Sequence, residues 1–133
     1  MSAATARSPL YAEWFCIDRW KGSSAALMPL EARGLYREML TAAWARGGHL
    51  PNDLEQVQRL IGATDREWRR SWPIVAVHWR IEGAYLVNET QQQVYADSLA
   101  RYEAATAKAS KGGQAAAARR RARGPRLELV GRS

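Results

Sequence analysis

Only one of the 133 residues is a cysteine, Cys16, so no disulfide can form within the chain. There are only two histidines, His49 and His78, and their spacing from Cys16 matches no zinc signature, so no metal site is expected. Long apolar runs are absent, and nothing approaches the roughly 18 residues that span a bilayer. The segment Met1 to Leu10 carries no apolar stretch followed by a cleavage-site pattern, so a signal peptide is not expected. Together with the lone cysteine this predicts a reduced, cytoplasmic setting without a membrane partner. No G-x-x-x-x-G-K-[ST] loop exists, and Gly112-Gly113 is an isolated pair rather than a phosphate cradle. No Ser, His and acid set suggests a triad. Glu31 and Glu38 lie a helical interval apart with nothing to mark them as a catalytic pair. The expectation is a protein that is not an enzyme and needs no cofactor.

What the chain does have is apolar bulk and a lopsided charge. Forty-seven per cent of residues are hydrophobic and six are Trp, enough for one real core. The formal net charge is +7. Residues 1–100 hold eleven Lys and Arg against eleven acids. Residues 101–133 hold nine against two, Glu103 and Glu128, so the whole excess sits in the last quarter. An electrically balanced body followed by a cationic arm points to a polyanionic partner.

Pattern along the chain divides it into an unpatterned N-terminus (1–10), a folded body (11–106) and a basic low-complexity tail (107–133). Tyr11 to Trp20 is aromatic-rich and reads either as an extended segment or as one helical turn laid over the core. Pro29 to Arg46 is the first clear helix, with Tyr36, Met39, Leu40, Ala43 and Trp44 on one face and Gly47-Gly48 ending it. His49-Leu50-Pro51 is a short extended piece. Asn52 or Asp53 caps a second helix that stops before Gly62. Thr64 and Glu67 form a capping-box pattern that opens a third, running towards Trp79 and bent or split by Pro73 near Trp72. Arg80–Glu82 and Tyr85–Val87 flank Gly83-Ala84 as a hairpin. Asn88 with Gln91 resembles a further cap. In the final helix Tyr95, Leu99 and Tyr102 are spaced to pack back on the body; Gly112-Gly113 then interrupts an alanine-only stripe. The run AAAARRRAR over residues 115–123 favours helix but has nothing large to bury.

The fold class that follows is mainly α with a small β-hairpin: a winged helix–turn–helix with a long C-terminal helix and a basic tail. The order helix, short strand, helix, helix, hairpin, helix carries this reading, as does the connection of about three residues around Gly62-Ala63. The chain also resembles the YdaU-type family of prophage proteins, often grouped with phage replisome-organiser N-terminal domains. The matching residues are Asp18-Arg19-Trp20, Leu30-Glu31, Gly34-Leu35-Tyr36, Trp44, Gly47-Gly48-His49-Leu50-Pro51, Leu54, Ile61-Gly62, Trp68, Gly83, Leu86, Asn88 and the tail Lys108 to Ala118. The resemblance implies a winged-helix fold and a place in phage or prophage DNA replication. Pro29 departs from it, standing where such proteins usually offer a Ser or Thr cap.

Candidate nucleic-acid contacts fall in three groups. Arg66, Arg69 and Arg70 lie opposite the Trp68, Trp72 and Val75 face of the third helix, where they either enter a groove or remain ordinary solvated charges. Arg80 beside the hairpin either grips a phosphate or is structural, with Glu82 favouring the second. Lys108, Lys111, Arg119, Arg120, Arg121 and Arg123 either attract a polyanion by counterion release or merely solubilise. Trp44, Trp68, Trp72 and Trp79 read as core, while Trp14 and Trp20 have no clear face. The leading expectation is a DNA-binding accessory protein of phage-type replication initiation. The alternatives are a module that recruits a helicase or its loader, and a transcriptional regulator.

Overall fold

The fold is described over residues 8–122 in a computed structural model. A non-helical stretch leads into α1 (Ile17–Lys21) and a 3₁₀ turn at Ser24–Leu27, and then come α2 (Leu30–Ala45), β1 (Leu50–Pro51), α3 (Leu54–Ile61) and α4 (Asp65–Val75). A second 3₁₀ turn (Ala76–His78) precedes β2 (Arg80–Glu82), β3 (Tyr85–Val87) and the long α5 (Glu89–Ala122). The protein is thus mainly helical, with a small three-stranded antiparallel sheet and a long C-terminal helix. It divides into two compact units at Ser98/Leu99, within α5.

Local chemistry explains most element boundaries. Pro29 stands just before α2 as its N-cap residue rather than within the first turn. Asp53, not Asn52, caps α3 by accepting from the Gln56 N–H at 3.2 Å. Thr64 Oγ1 accepts from Glu67 N–H at 3.2 Å, and the Glu67 carboxylate accepts from Thr64 N–H at 2.9 Å. This closed box satisfies two donors that a helix start would leave orphaned. At the end of α2 the backbone turns left-handed through Gly47 (φ 92°) and Gly48 (φ 98°). A Cβ at Gly48 would meet the Tyr95 ring at 3.3 Å, so glycine there permits both the turn and the close approach.

The core centres on α2, whose buried face is Ala32, Leu35, Tyr36, Met39, Leu40, Ala43 and Trp44. Val57 of α3, Trp68 and Val75 of α4, and Trp79 complete it. β3 lies in the middle of the sheet, and Leu86 pairs with Leu50 on one side and Ile81 on the other. Leu50 and Leu86 are buried, whereas all three residues of β2 are exposed. Asn88 ties the layers together: Nδ2 donates to Tyr36 OH (3.1 Å) and to the His78 carbonyl (2.9 Å), while Oδ1 accepts from Gln91 N–H (2.9 Å). Gln91 in turn donates to the Leu40 carbonyl at 2.6 Å. Near the N-terminus, Ser8 hydrogen-bonds the Tyr95 hydroxyl (2.6 Å), and Trp44 Nε1 donates to the Leu10 carbonyl (3.2 Å).

Three expectations need revision. Helix α4 is not ended near Trp72; it runs through Pro73 to Val75 and then tightens into 3₁₀ geometry. Pro73 lies in its last turn, where the missing N–H removes one hydrogen bond close to an end already losing its ladder. Tyr102 is 43 % exposed, because the buried residues of α5 end at Ser98. Gly112-Gly113 does not interrupt α5, which continues to Ala122; the flanking Ala, Lys and Arg outweigh the two glycines locally.

Candidate nucleic-acid interface

Helix α4 buries Trp68, Ser71 and Val75, and the 100° step per residue therefore turns Arg66, Arg69 and Arg70 outward. All three are exposed. Arg66 has no side-chain partner among the described residues. Arg69 Nε donates to the Asp65 carbonyl one turn back at 3.3 Å. Arg70 Nε lies 3.4 Å from Glu31 Oε1 across to α2, with the two side chains 61 % and 49 % exposed. An ion pair that open to water is worth about 0–1 kcal/mol, so Arg70 remains available to another anion. Acids share the same end of α4. Asp65 accepts from Gln58 Nε2 at 2.7 Å, which anchors α3 to α4. The hydrogen bonds from Thr64 hold the Glu67 carboxyl below its ordinary range.

Arg80 differs from these three. Its guanidinium donates to Glu82 at 2.9 Å and to Gln92 Oε1 at 3.1 Å, and it lies 3.7 Å from Glu89. Two carboxylates offset one cation, and the Arg80 hydrogen bond holds Glu82 below the usual carboxylate range. The site joins β2 to the start of α5, an arrangement suited to bracing the hairpin.

In the second unit, Lys108, Lys111, Arg119, Arg120 and Arg121 are all exposed on α5. At 1.5 Å per residue, Lys108 to Arg121 covers about 20 Å of helix. Lys108 and Arg119 lie eleven residues apart, close to three turns, and so share a face. Arg123 lies outside the described residues.

Two concavities of the first unit were not foreseen in the sequence. One, between α2 and the α3–α4 connection, is lined by Glu31, Glu38, Glu67, Gly34 and Ser71 among others. The seven-residue spacing of Glu31 and Glu38 hinted at a shared face, but nothing local adds Glu67. The other is aromatic. It lies between residues 13–23, Tyr36 and Leu40 of α2, and the first turns of α5, and encloses about 490 Å³ with its open mouth included. Trp20 stacks on Tyr36 (5.7 Å, 18°), Phe15 tilts against Trp20 (5.4 Å), and the Arg37 guanidinium covers Phe15 at 3.6 Å. Burial pushes the Tyr36 hydroxyl up, against the opposing hydrogen bond from Asn88.

Of the tryptophans read as core, Trp44, Trp68 and Trp79 are buried and Trp72 is half-buried, stacked on Trp68 at 5.1 Å. Trp20 is half-buried and Trp14 is 63 % exposed. His49 meets the Tyr85 ring edge-on at 4.0 Å, and His78 meets Tyr36 at 5.4 Å. Burial lowers the pKa of both, aided at His49 by the charge of Arg46. No cluster of three or more His, Cys, Asp or Glu able to hold a metal ion occurs among the described residues. No helix among them is long and apolar enough to cross a membrane.

The family described as a protein of unknown function (DUF1376) matches residues 13–95. We find no match among curated proteins or solved structures.

Proposed function

We propose that this chain, which belongs to the DUF1376 family, is a nucleic-acid-binding accessory protein of phage- or prophage-type DNA replication initiation. The observation that carries the reading is the placement of charge. A balanced body is followed by residues 101–133 with nine Lys and Arg against two acids. A polycation beside a neutral globule gains affinity for a phosphate backbone by releasing counterions, without needing to read sequence. The body would be a winged helix–turn–helix in which α3 and α4 form the motif and the β2–β3 hairpin forms the wing. Exposed Arg66, Arg69 and Arg70 on α4 would supply groove or backbone contacts. Arg80, already matched by Glu82 and Glu89, would contribute to the hairpin rather than to phosphate binding. The replication setting comes from the resemblance to YdaU-type and replisome-organiser proteins.

A second reading has its own observation. Leu27, Leu30 and Val77 are 86 %, 74 % and 79 % exposed, an apolar display suited to a protein partner such as a helicase or its loader.

Fluorescence anisotropy of the full chain with duplex and single-stranded DNA tests the first reading. Binding should weaken steeply between about 50 and about 200 mM salt. Replacing Arg119, Arg120 and Arg121 together by Gln should reduce the slope of log affinity against log salt by about 2–3. Replacing Arg66, Arg69 and Arg70 by Ala should remove any discrimination among sequences while retaining the arm's salt-dependent binding. A full chain that ignores DNA at low salt would rule out this reading and leave the protein-partner one.

A further inference from the structure

The groove between α2 and the α3–α4 connection carries charge of one sign. Its lining holds three carboxylates, Glu31, Glu38 and Glu67, and no lysine or arginine. The three are not equivalent. Glu31 is already opposed by Arg70 at 3.4 Å. Glu67 accepts from the Thr64 N–H, a cap that brings no cation and holds the carboxyl below its ordinary range. Glu38 is exposed and makes no hydrogen bond or ion pair among the described residues. Two negative charges therefore line the groove without a positive one.

An acidic rim alone is an ordinary solvated surface, but the floor adds a second observation. Ser71 of α4 is only 2 % exposed, and its hydroxyl makes no hydrogen bond among the described residues. A buried hydroxyl costs free energy unless it is paired, and a helical serine can pair with the carbonyl four residues back. Ser71 forgoes that bond and lines the groove. Leu35 and Ile61 give the groove apolar surface. Gly34 keeps the space clear, since a Cβ there would meet nothing within 4 Å. The groove encloses about 580 Å³ with its open mouth included, the size of a small-molecule site.

This combination narrows the guest. An anion would be repelled, and a neutral apolar molecule would desolvate two carboxylates without replacing their water. A metal ion would find too few ligands, since no group able to hold one occurs among the described residues. A single ammonium would leave one carboxylate unopposed. A methylene chain with an ammonium at each end satisfies both charges, the apolar surface and the hydroxyl together. We propose that the groove binds an aliphatic diamine, its stem along Leu35 and Ile61, its ammonium groups at Glu38 and Glu67, and one of their protons donated to Ser71 Oγ. Such binding needs no nucleic acid and is independent of the function proposed above.

The full chain is titrated by NMR with diaminobutane, an amine at each end, and with butylamine and butanediol of the same stem. Ionic strength is held fixed, because salt screens exposed charges. The amides of Gly34 and Gly62, both in the groove lining, report where a guest sits. Diaminobutane should shift both amides and bind about fivefold more tightly than butylamine, as one further exposed ion pair allows. Butanediol should not bind. Glu38→Gln, at an exposed and unpaired side chain, should reduce the diamine to the level of butylamine. Ser71→Ala should weaken both amines about fivefold and leave the unfolding midpoint where it was, because the hydroxyl has no bond to lose. Gly34→Leu fills the groove from α2 and should abolish binding. Leucine favours helix over glycine, so this variant keeps the test open should Ser71→Ala not fold. Diamine binding that survives both Glu38→Gln and Gly34→Leu, or that leaves the two glycine amides unmoved, would overturn the site. Equal affinity for diaminobutane and butylamine, or no binding of either at millimolar concentration, would do the same. Acetyl-lysine amide with a free side-chain amine, if bound as tightly as the diamine, would assign the groove to a lysine side chain and overturn the diamine.

Discussion

Gln91, Tyr95 and Ser98 are buried in the first turns of α5, while no residue from Leu99 to Ala122 is, although both stretches are helical. The first stretch is held by its surroundings. Asn88 caps it, Gln91 reaches the Leu40 carbonyl, and Tyr95 lies edge-on to Trp44 at 4.9 Å. The second is mostly Ala, Lys and Arg, which favour helix individually, with no comparable set of contacts to the core. Helix in the first unit is therefore a consequence of packing, and in the second a consequence of intrinsic preference. Preference alone leaves a helix marginal in water, since nucleation is costly and each residue adds little. The two units should respond to substitution in opposite ways.

The largest expected effect is in the core. Met39 has no exposed surface, and Met39→Ala should destabilise the body by about 2–5 kcal/mol in urea unfolding, through lost transfer energy and the cavity left behind. A cost below about 1 kcal/mol would show that α2 is not the centre of the fold. Next is Asn88→Ala, which strands the His78 carbonyl and the Gln91 N–H and takes a partner from Tyr36. About 2–3 kcal/mol should be lost, read as a lower unfolding midpoint. The complementary change is Gly112→Ala with Gly113→Ala. It should favour the arm's helix by about 1 kcal/mol per site, raising the helical circular dichroism signal, and leave the body's unfolding midpoint where it was. Movement of that midpoint would break the separation of the two units.

The smallest effect is that of pH. Both His49 and His78 have folded pKa values below the ordinary 6.5, chiefly through burial. The unfolded chain therefore binds protons at higher pH than the folded one. Their contribution is fully present above the unfolded value and is lost as pH falls through the folded values. Urea midpoints of the full chain should accordingly drop between about pH 7.5 and about pH 5.5. The arm carries no histidine, so its helicity should not change across that window. His49→Gln with His78→Gln should flatten the body's response.

What could be read from the sequence was local. Thr64 with Glu67, Asn88 with Gln91, and Gly83-Ala84 each act within four residues, so their roles follow from backbone geometry alone. The stripe of Tyr36, Met39, Leu40 and Trp44 was equally legible, because a period of 3.6 residues has one way to bury itself. Arg80 was not. Its neighbour Glu82 was visible, but Glu89 and Gln92 join it only because the hairpin returns to the start of α5. The Arg70–Glu31 pair spans two helices, and the aromatic cleft brings residues 13–23 against residues 88–94, separations no periodicity encodes. Trp14 shows the limit most sharply. Its segment shows no face by periodicity, and only the folded chain leaves it 63 % exposed.

The amino-acid order alone determined where most of the longer helices begin, which positions are apolar, and that all excess positive charge falls after residue 100, since these depend on neighbours in the chain. Tertiary structure decided which charges are matched, which rings are buried, and where along α5 burial stops. Those outcomes depend on side chains meeting across tens of residues. Only packing into a shared core decides such meetings.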